Sequence, residues 1–395
     1  MILKLKSLSI VCLLGLTLST QAGTDIQKQA ETLSKKYVIA DLHVDVPYRL
    51  EEKYEDVSQS TESGDFDYPR AKKGGLDAPF MSIYIPAEFE KKGGGLALAD
   101  QLIDRVEAVV GRAPEKFALA YTVADIKRNF KEGKISLPMG MENGTPVEGS
   151  FENLQHLYDR GIRYITLAHS KSNHISDSSY SELKPWQGLS PFGKKLVKQM
   201  NNIGMMVDIS HVSDQAFYHA VEVSAVPVIA SHSSLRHFTP GWERNMDDKM
   251  LKALQKNGGV IQINYGSAFI HVGANNYNKD KKKAIAAFKA STEHAAAEHL
   301  RAFEDKYKAS HPYPYASLSQ VLDHFDRAIK LIGIDHVGIG SDFDGVGNTL
   351  PEHLKDVASY PNLVQGLLNR GYKAEDIQNY TLYKDFVLVH CNQVT

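Results

Sequence analysis

Seven ionisable side chains in this 395-residue sequence lie where apolar segments end: His43, Asp45, Glu142, His169, His211, His232 and Asp342. In a parallel α/β barrel the carboxyl ends of the strands open onto one shared cavity, and catalytic groups collect there. One such histidine alone is more often a hydrogen-bonded structural residue. Seven ionisable residues on six segments favour a common site instead.

The spacing of these residues is typical of a metal site. His43 and Asp45 stand two positions apart, so both side chains lie on one face of a strand and can bind one ion. His211 and His232 each follow a serine at the end of an apolar segment, and we expect both imidazoles to point into the cavity at the same height. The Glu142 carboxylate is predicted to bridge two ions, one bound by His43 and Asp45 and one by His211 and His232.

The composition indicates which metal to expect. The sequence has sixteen histidines and two cysteines, so the ligands are nitrogen and oxygen, which suits zinc or manganese. Three imidazoles with two carboxylates favour zinc. Two zinc ions that share a water or hydroxide would lower its pKa and stabilise a tetrahedral oxyanion, which is hydrolytic chemistry.

Asp342 ends the last apolar segment and is the candidate proton shuttle between the nucleophilic water and the leaving nitrogen. Two positions further on, Asp344 is interpreted as a turn residue. A calcium-like or plain turn motif is the alternative interpretation of the whole Asp342 to Gly345 run.

The elements that would position these residues are eight short apolar segments that alternate with helical patterns. This alternation predicts a (β/α)8 TIM-like barrel of the metal-dependent hydrolase type. The predicted strands are 38–45, 80–85, 137–142, 164–169, 205–211, 227–232, 260–265 and 336–342. Residues 117–121 form a further apolar run that is either an extra strand or replaces one of the eight.

A helical insertion of about 271–316 is predicted before the last strand. Apolar residues from Ile285 to Tyr307 form one helical stripe within it. A packed accessory helix is the simplest interpretation, and a lid or subunit contact is the alternative. The rest of residues 23–395 reads as a single hydrolase domain.

The first 22 residues have the features of a cleaved signal peptide. Lys4 and Lys6 precede the apolar run from Leu8 to Leu18, and Ala22 ends a small-residue cleavage site. We therefore expect an exported protein, periplasmic or secreted, with no stable membrane anchor after cleavage. An uncleaved anchor and a lipid attachment are the alternatives. Cleavage would also remove Cys12, leaving Cys391 as a spectator thiol.

The charge balance argues against one class of partner. The formal net charge is −2, and no long run of one sign appears apart from Lys281 to Lys283. Since nucleic-acid binding needs a concentrated positive surface, a nucleic-acid partner is not expected.

Several motifs together resemble the membrane dipeptidase (renal dipeptidase) family of zinc peptidases. These motifs are 41–47, 163–169, 188–193, 208–213, 231–234, 244–248 and 340–345. The resemblance runs in order from about Val38 to Gly347. It implies a dizinc barrel that hydrolyses dipeptides, including those with a D-residue at the carboxyl end, and that forms a homodimer.

The resemblance also implies a role for each matching position. The first zinc site corresponds to His43 and Asp45, the bridging carboxylate to Glu142, and the second zinc site to His211 and His232. His169 matches the histidine that polarises the scissile carbonyl, Arg244 the arginine that binds the substrate carboxylate, and Asp342 the proton-transfer residue. From the residues alone, Arg236 competes with Arg244 for the carboxylate.

Two other functions stay open from the sequence. The same metal site could hydrolyse another small amide, such as an N-acyl amino acid or a lactam. In a different class, the chain could be a catalytically inactive exported protein that binds metal or peptide. The presence of every proposed ligand and of Asp342 favours an enzyme.

Overall fold

The barrel predicted from the sequence is confirmed by a computed structural model, which describes residues 25–292 and 297–381. Within these residues, eight parallel strands form one sheet in the order β1, β2, β5, β6, β7, β8, β9, β10. Their bounds, with those of a separate pair, are β1 Ile39–Val44, β2 Leu76–Tyr84, β3 Phe117–Leu119, β4 Ile135–Leu137, β5 Met139–Glu142, β6 Ile162–Thr166, β7 Met206–Asp208, β8 Ile229–Ser233, β9 Val260–Ile263 and β10 Val337–Ile339. Each barrel strand is therefore parallel to its neighbours, as connections through helices require.

The sheet closes on itself between its first and last strands. The Asp45 N–H donates to the Phe343 carbonyl at 2.8 Å, and the Asp342 N–H donates to the His43 carbonyl at 3.1 Å. These hydrogen bonds lie at the carboxyl ends of β1 and β10. Closure therefore brings Asp342 beside His43 and Asp45 although about 300 residues separate them in the sequence.

Helices cover the outside of the barrel. They are α1 at residues 25–36, α2 Val46–Glu52, α3 Tyr68–Gly74, α4 Phe89–Lys92, α5 Gly95–Arg112, α6 Val123–Lys131, α7 Phe151–Asp159, α8 Pro191–Ile203, α9 Asp214–Val223, α10 Asp248–Asn257, α11 Ser267–Ile270, α12 Val272–Ser291, α13 Ala297–Ser310, α14 Leu318–Ile332, α15 Tyr360–Asn369 and α16 Ala374–Thr381. Several begin at a side-chain cap: Ser190, Ser213 and Ser317 accept from backbone N–H groups of the first turn. None of the helices in the described part of the chain is long and apolar enough to cross a membrane.

The barrel interior is filled by large apolar side chains from alternate strand positions. This buried cluster consists of Leu42, Phe80, Tyr164, Met206, Ile229 and Val260. A second, larger cluster packs the helices against the outer face of the strands. Because both faces of the sheet are buried, the strands are continuous apolar runs, which made them recognisable in the sequence.

The structure resolves the two apolar runs at 137–142 and 117–121. The run at 137–142 is divided at Pro138: Ile135–Leu137 pairs with Phe117–Leu119 in a separate two-stranded sheet, and only Met139–Glu142 enters the barrel. Proline has no N–H to donate to a strand ladder, which explains the break. The apolar run at 117–121 is therefore an extra strand and replaces none of the eight.

Several strands end before the candidate site residues that we expected at their last positions. β6 ends at Thr166, β7 at Asp208 and β10 at Ile339, so His169, His211 and Asp342 lie in the loops that follow. His211 and Asp342 have φ angles of 67° and 65°, in the left-handed region, which extended strands do not use.

The predicted helical stripe before the last strand belongs to two helices. α12 ends at Ser291 and α13 begins at Ala297. The Phe288 and Phe303 rings stack with centroids 4.5 Å apart, so the second helix returns along the first. The signal peptide predicted at 1–22 and Cys391 lie outside the described residues.

Candidate metal centre

A cavity of about 400 Å³ opens at the carboxyl end of the barrel. Its lining includes Asp45, Tyr84, Glu142, His169, His211 and Asp342. The walls come from loops that follow at least four strands, which is the place where barrels of this kind carry their chemistry. Five of the residues predicted from the sequence thus share one pocket, and His43 and His232 lie directly behind it.

Glu142 is the centre of the cluster. Its Oε2 atom is 3.5 Å from His43 Nε2, and its Oε1 atom is 3.2 Å from His211 Nε2 and 3.3 Å from His232 Nε2. Oε1 also lies 3.4 Å from His169 Nε2. Each carboxylate oxygen thus faces a different set of imidazoles, the arrangement that a bridging ligand requires.

The possible ligand atoms form three overlapping groups, each within 4.8 Å of one another. The groups are His43 with Glu142 and His232, Glu142 with His169 and His211, and His43 with Asp45 and Asp342. All five proposed ligands are included. His169 and Asp342 are included as well, so the geometry alone does not separate their roles from metal binding.

Two observations show that these residues suit a cation. His43 Nε2 is fully buried and has no hydrogen-bond partner among the described residues, although it faces Asp45 and Glu142 at 3.5 Å each. The Nε2 atoms of His211 and His232 are only 2.6 Å apart. Nitrogen lone pairs that converge with carboxylates in a buried site are the donor set that zinc prefers.

The pKa shifts show how strongly the cluster needs positive charge. Burial raises the pKa of Asp45 well above its ordinary value, and the Glu142 and Asp342 carboxylates raise it further. Burial lowers the pKa of His43, but Asp45 and Glu142 outweigh this and raise it to about 10. The pKa of His232 falls to about 4 because of burial and the neighbouring His43. The raised pKa of His43 reflects the negative charge of Asp45 and Glu142 around it, which a bound cation would balance.

The backbone around Asp342 is shaped for close approach of carboxylates. A Cβ atom added at Gly345 would lie 2.1 Å from Asp45 Oδ2 and 2.3 Å from Asp342 Oδ1. Only glycine leaves room for both oxygens at this position. Asn264 donates to Asp342 Oδ2 at 2.6 Å, which fixes the direction of that side chain.

Asp344 has the structural role expected of a turn residue. Its φ angle is 67°, and its carboxylate accepts a hydrogen bond from Arg49 Nε at 3.0 Å. The Asp344 N–H donates to Asp65 Oδ2 at 2.8 Å. Asp344 therefore ties the loop after β10 to α2 and to the loop before α3.

Two arginines competed for the carboxylate-binding role, and their environments differ. Arg236 forms a two-pronged pair with Asp214, at 2.7 and 2.5 Å. Arg244 is 2% exposed, and among the described residues no carboxylate lies within 4.0 Å of it. Arg244 donates instead to Ser233 Oγ and the His232 carbonyl, and its Nε has no hydrogen-bond partner. A buried guanidinium without a counter-ion is costly, so Arg244 is the better candidate for an anionic ligand.

The structure places functional contacts that the sequence did not single out. The Tyr84 ring packs edge-on against His169 with centroids 4.9 Å apart. Tyr164 OH lies 2.9 Å from His43 Nδ1. The Asp208 carboxylate accepts a hydrogen bond of 2.6 Å from the hydroxyl of Ser231, the residue that precedes His232. Tyr164 and Asp208 lie within the quoted motifs, but a tyrosine in an apolar strand is indistinguishable from ordinary core in a single sequence.

Comparisons with known proteins add an independent line of evidence. The sequence model of a family described as membrane dipeptidase (peptidase family M19) matches residues 27–386. The relatives include dipeptidase tcpJ of Claviceps purpurea, 33% identical over 326 residues, which are 80% of this chain and 66% of the relative. Mouse dipeptidase 3 is 29% identical over 365 residues, 89% of this chain and 64% of the relative. The chain thus spans about two thirds of the length of these relatives.

Solved structures share the fold. The probable dipeptidase PvdM of Pseudomonas aeruginosa superimposes with a TM-score of 0.81 at 24% identity, covering 94% of this chain and 98% of the other. A metallo peptidase of Rhodobacter sphaeroides, liganded with a phosphinate mimic of the dipeptide L-Ala-D-Ala, gives 0.72 at 22% identity, covering 90% and 99%. These likenesses show the same barrel architecture.

Proposed function

Because the chain belongs to the membrane dipeptidase family, peptidase family M19, we propose that it is a metallo-dipeptidase that hydrolyses the peptide bond of dipeptides. The observation that carries the proposal is the cluster around Glu142 with Arg244 beside it. The cluster supplies hydrolytic chemistry, and the unpaired guanidinium supplies a binding group for a free carboxylate. A short substrate that ends in a carboxylate satisfies both.

The metal part of the proposal is two zinc ions. His43 and Asp45 would hold one, His211 and His232 the other, and Glu142 both. When bound, the zinc pair would supply a water or hydroxide of lowered pKa and an electrophile for the peptide carbonyl. The support is the convergence of buried nitrogen and oxygen donors described above.

Arg244 would orient the substrate. Its guanidinium can donate two parallel hydrogen bonds to a carboxylate, which selects substrates with a free carboxyl end. At present its Nη2 donates to His211 Nε2 at 3.0 Å. Since a metal on His211 would use that lone pair, one Nη2 hydrogen would become available for the substrate, while the other donates to the His232 carbonyl.

His169 and Asp342 would act on the reacting bond. His169 lines the pocket beside Glu142, where its imidazole can donate to the scissile carbonyl oxygen. Burial lowers the pKa of His169, which favours a neutral ring that donates through one nitrogen. Asp342 would take the proton of the attacking water and pass it to the leaving nitrogen, since it lies beside Asp45 at the pocket wall.

Tolerance of a D-residue at the carboxyl end is also part of the proposal. The structurally similar metallo peptidase of Rhodobacter sphaeroides was solved with a phosphinate mimic of L-Ala-D-Ala, which motivates this part of the proposal. We also propose export to the periplasm or medium, on the basis of the signal peptide predicted from the sequence. Assembly as a homodimer is a further proposal, which the family resemblance implies.

The deciding experiment combines elemental analysis of the purified protein with hydrolysis of L-L, L-D and D-D dipeptides. We expect two zinc equivalents per chain and turnover of L-L and L-D dipeptides. The same panel should include each dipeptide as its carboxyl-terminal amide, an N-acyl amino acid and a lactam. Turnover of only the last two would favour the other amidohydrolase function, and bound metal without any turnover would favour an inactive binding protein.

A further inference from the structure

Two of the proposed zinc-binding histidines have a hydroxyl group behind the ring. His43 Nδ1 lies 2.9 Å from Tyr164 OH, and His232 Nδ1 lies 2.8 Å from Ser231 Oγ. All four groups are fully buried. A hydroxyl can either donate to such a nitrogen or accept from it, so its other contacts decide where the ring proton is.

The Tyr164 hydroxyl proton is already engaged in a hydrogen bond to the backbone. Tyr164 OH donates to the Leu42 carbonyl at 2.9 Å, and a carbonyl oxygen can only accept. The phenol has one proton, so it must accept from His43. His43 Nδ1 therefore carries a hydrogen, and its Nε2 is the atom that faces Asp45 and Glu142.

The Ser231 hydroxyl is fixed by a carboxylate in the same way. Ser231 Oγ donates to Asp208 Oδ2 at 2.6 Å. Asp208 is an acceptor on both oxygens, because backbone N–H groups of Ser210 and Ser231 donate to Oδ1 and the Thr166 hydroxyl donates to Oδ2. Ser231 must then accept from His232 Nδ1, which leaves His232 Nε2 for Glu142.

The barrel core is built to hold the tyrosine in this position. A Cβ atom added at Gly140 would lie 2.0 Å from Tyr164 Cζ, so the ring crosses the barrel interior over a residue without a side chain. The ring also stacks on Phe80, with centroids 5.7 Å apart.

The other two histidines of the cluster lack such support. The Nδ1 atoms of His169 and His211 are buried and have no hydrogen-bond partner among the described residues. Among these four histidines, a hydroxyl group therefore contacts Nδ1 only in His43 and His232, whose rings stack with centroids 3.7 Å apart.

We propose that Tyr164 and Ser231 are positioning residues that hold His43 and His232 with the proton on Nδ1 and thereby reserve both Nε2 atoms for metal. This inference rests on the proposed dizinc function. Groups that fix the ring of a metal-binding histidine typically change metal affinity by about 10- to 100-fold. Because the two histidines are assigned to different ions, each hydroxyl should control one ion.

The test uses two variants and two matched controls. Tyr164→Phe and Ser231→Ala each remove one hydroxyl. Tyr265→Phe removes another buried phenol hydroxyl of the barrel, one without a hydrogen-bond partner among the described residues, and Ser234→Ala removes a buried serine hydroxyl that donates only to the Asn264 carbonyl. Zinc affinity and stoichiometry are measured by competition with a chromogenic chelator.

We expect Tyr164→Phe and Ser231→Ala each to weaken one of the two zinc equivalents by about 10- to 100-fold and to leave the other near its wild-type affinity. Both controls should bind two equivalents as the wild type does. Equal affinities in all five proteins would overturn the positioning role while leaving the metal centre intact. A wild-type protein that binds no zinc would overturn the metal centre itself, so the two failures are distinguishable.

A second measurement is made on the wild-type protein and uses the variants only to assign its signals. Long-range ¹H–¹⁵N spectra of the zinc-loaded wild-type protein report which ring nitrogen carries hydrogen. We expect protonated Nδ1 signals for His43 and His232, assigned by their loss or shift in Tyr164→Phe and Ser231→Ala. A protonated Nε2 on either ring of the zinc-loaded protein contradicts the proposal directly.

Discussion

At the scale of single residues, Asp342 has two chemical roles within reach. Its carboxylate lies with His43 and Asp45 in one potential ligand group, and it is also the proposed proton shuttle. A shuttle must exchange its proton with water and substrate, whereas a ligand must stay ionised on the metal. Replacement of the carboxylate by an amide separates the two roles, because it removes the titratable proton and keeps the size.

We predict that Asp342→Asn keeps two zinc equivalents and loses about 10²- to 10⁴-fold in kcat, the usual contribution of a general acid or base. Metal content by elemental analysis and steady-state kinetics on one dipeptide check this. Asp335→Asn, at an exposed position before β10, is the matched control and should behave as wild type. Loss of one zinc equivalent from Asp342→Asn would make Asp342 a ligand.

Arg244 gives a second prediction at this scale. Arg244→Lys retains the charge and loses the two-pronged geometry, so kcat/KM for free dipeptides should fall about 10- to 100-fold. Hydrolysis of the carboxyl-terminal amides of the same dipeptides should change little, since they have no carboxylate to bind. Arg236→Lys is the control, because its partner is Asp214 and not the pocket. An equal loss on dipeptides and their amides would show that Arg244 does not bind the carboxylate.

At the scale of elements, the first two strands are joined by a buried carboxyl group. Asp77 at the start of β2 is 6% exposed, and its Oδ2 accepts from the Ile39 N–H of β1 at 3.1 Å. Burial raises the pKa of Asp77 to about 7. The folded state therefore holds this proton more tightly than the unfolded state does. The resulting stabilisation is complete below about pH 4 and is lost as the pH rises through 7.

We predict that Asp77→Asn, which keeps an acceptor oxygen and never ionises, becomes more stable relative to wild type as the pH rises. The difference should grow by at most about 1.4 kcal/mol per pH unit between pH 4 and 7 and then level off. Urea unfolding of metal-free protein at pH 5 and pH 8 measures it. A difference that is the same at both pH values would mean that Asp77 is ionised throughout that range.

The elements also show where sequence patterns are insufficient. Apolar runs located all eight barrel strands, because both faces of a parallel sheet are buried. Their ends were less accurate: His211 and Asp342 follow their strands in left-handed loop conformations. Only the hydrogen bonds that close the barrel, such as that from the Asp342 N–H to the His43 carbonyl, determine where those loops turn.

At the scale of the whole molecule, the metal centre and the fold should depend on each other. The proposed ligands come from the ends of β1, β5 and β8 and from the loop after β7, on opposite sides of the barrel. Burial raises the pKa of Asp45 there, and repulsion from the Glu142 and Asp342 carboxylates raises it further. A cation that binds only the folded state removes this repulsion and stabilises the barrel.

We predict that removal of metal by a chelator lowers the melting temperature by several degrees and that zinc restores it. Free metal at 100 times its Kd corresponds to about 2.7 kcal/mol of stabilisation. Calorimetry of chelated and zinc-reconstituted protein measures the shift, with magnesium as the control ion.

The melting temperature of Glu142→Gln should respond little to zinc, because this variant loses the carboxylate charge shared between both proposed sites. A melting temperature unaffected by chelation in a protein shown to contain zinc would contradict this coupling.

The sequence by itself determined the barrel, the family and the residues that gather at its mouth, because strand periodicity and short motifs are local properties of the chain. The residues alone, without the family resemblance, did not determine which arginine lacks a carboxylate partner, because folding sets the partners of Arg236 and Arg244. Nor did the sequence reveal the hydroxyls behind His43 and His232. Tyr164 and His43 are 121 positions apart, and only the folded barrel brings them within hydrogen-bond distance. Ser231 is adjacent to His232 in the sequence, but the direction of their hydrogen bond is set by Asp208, 23 positions away.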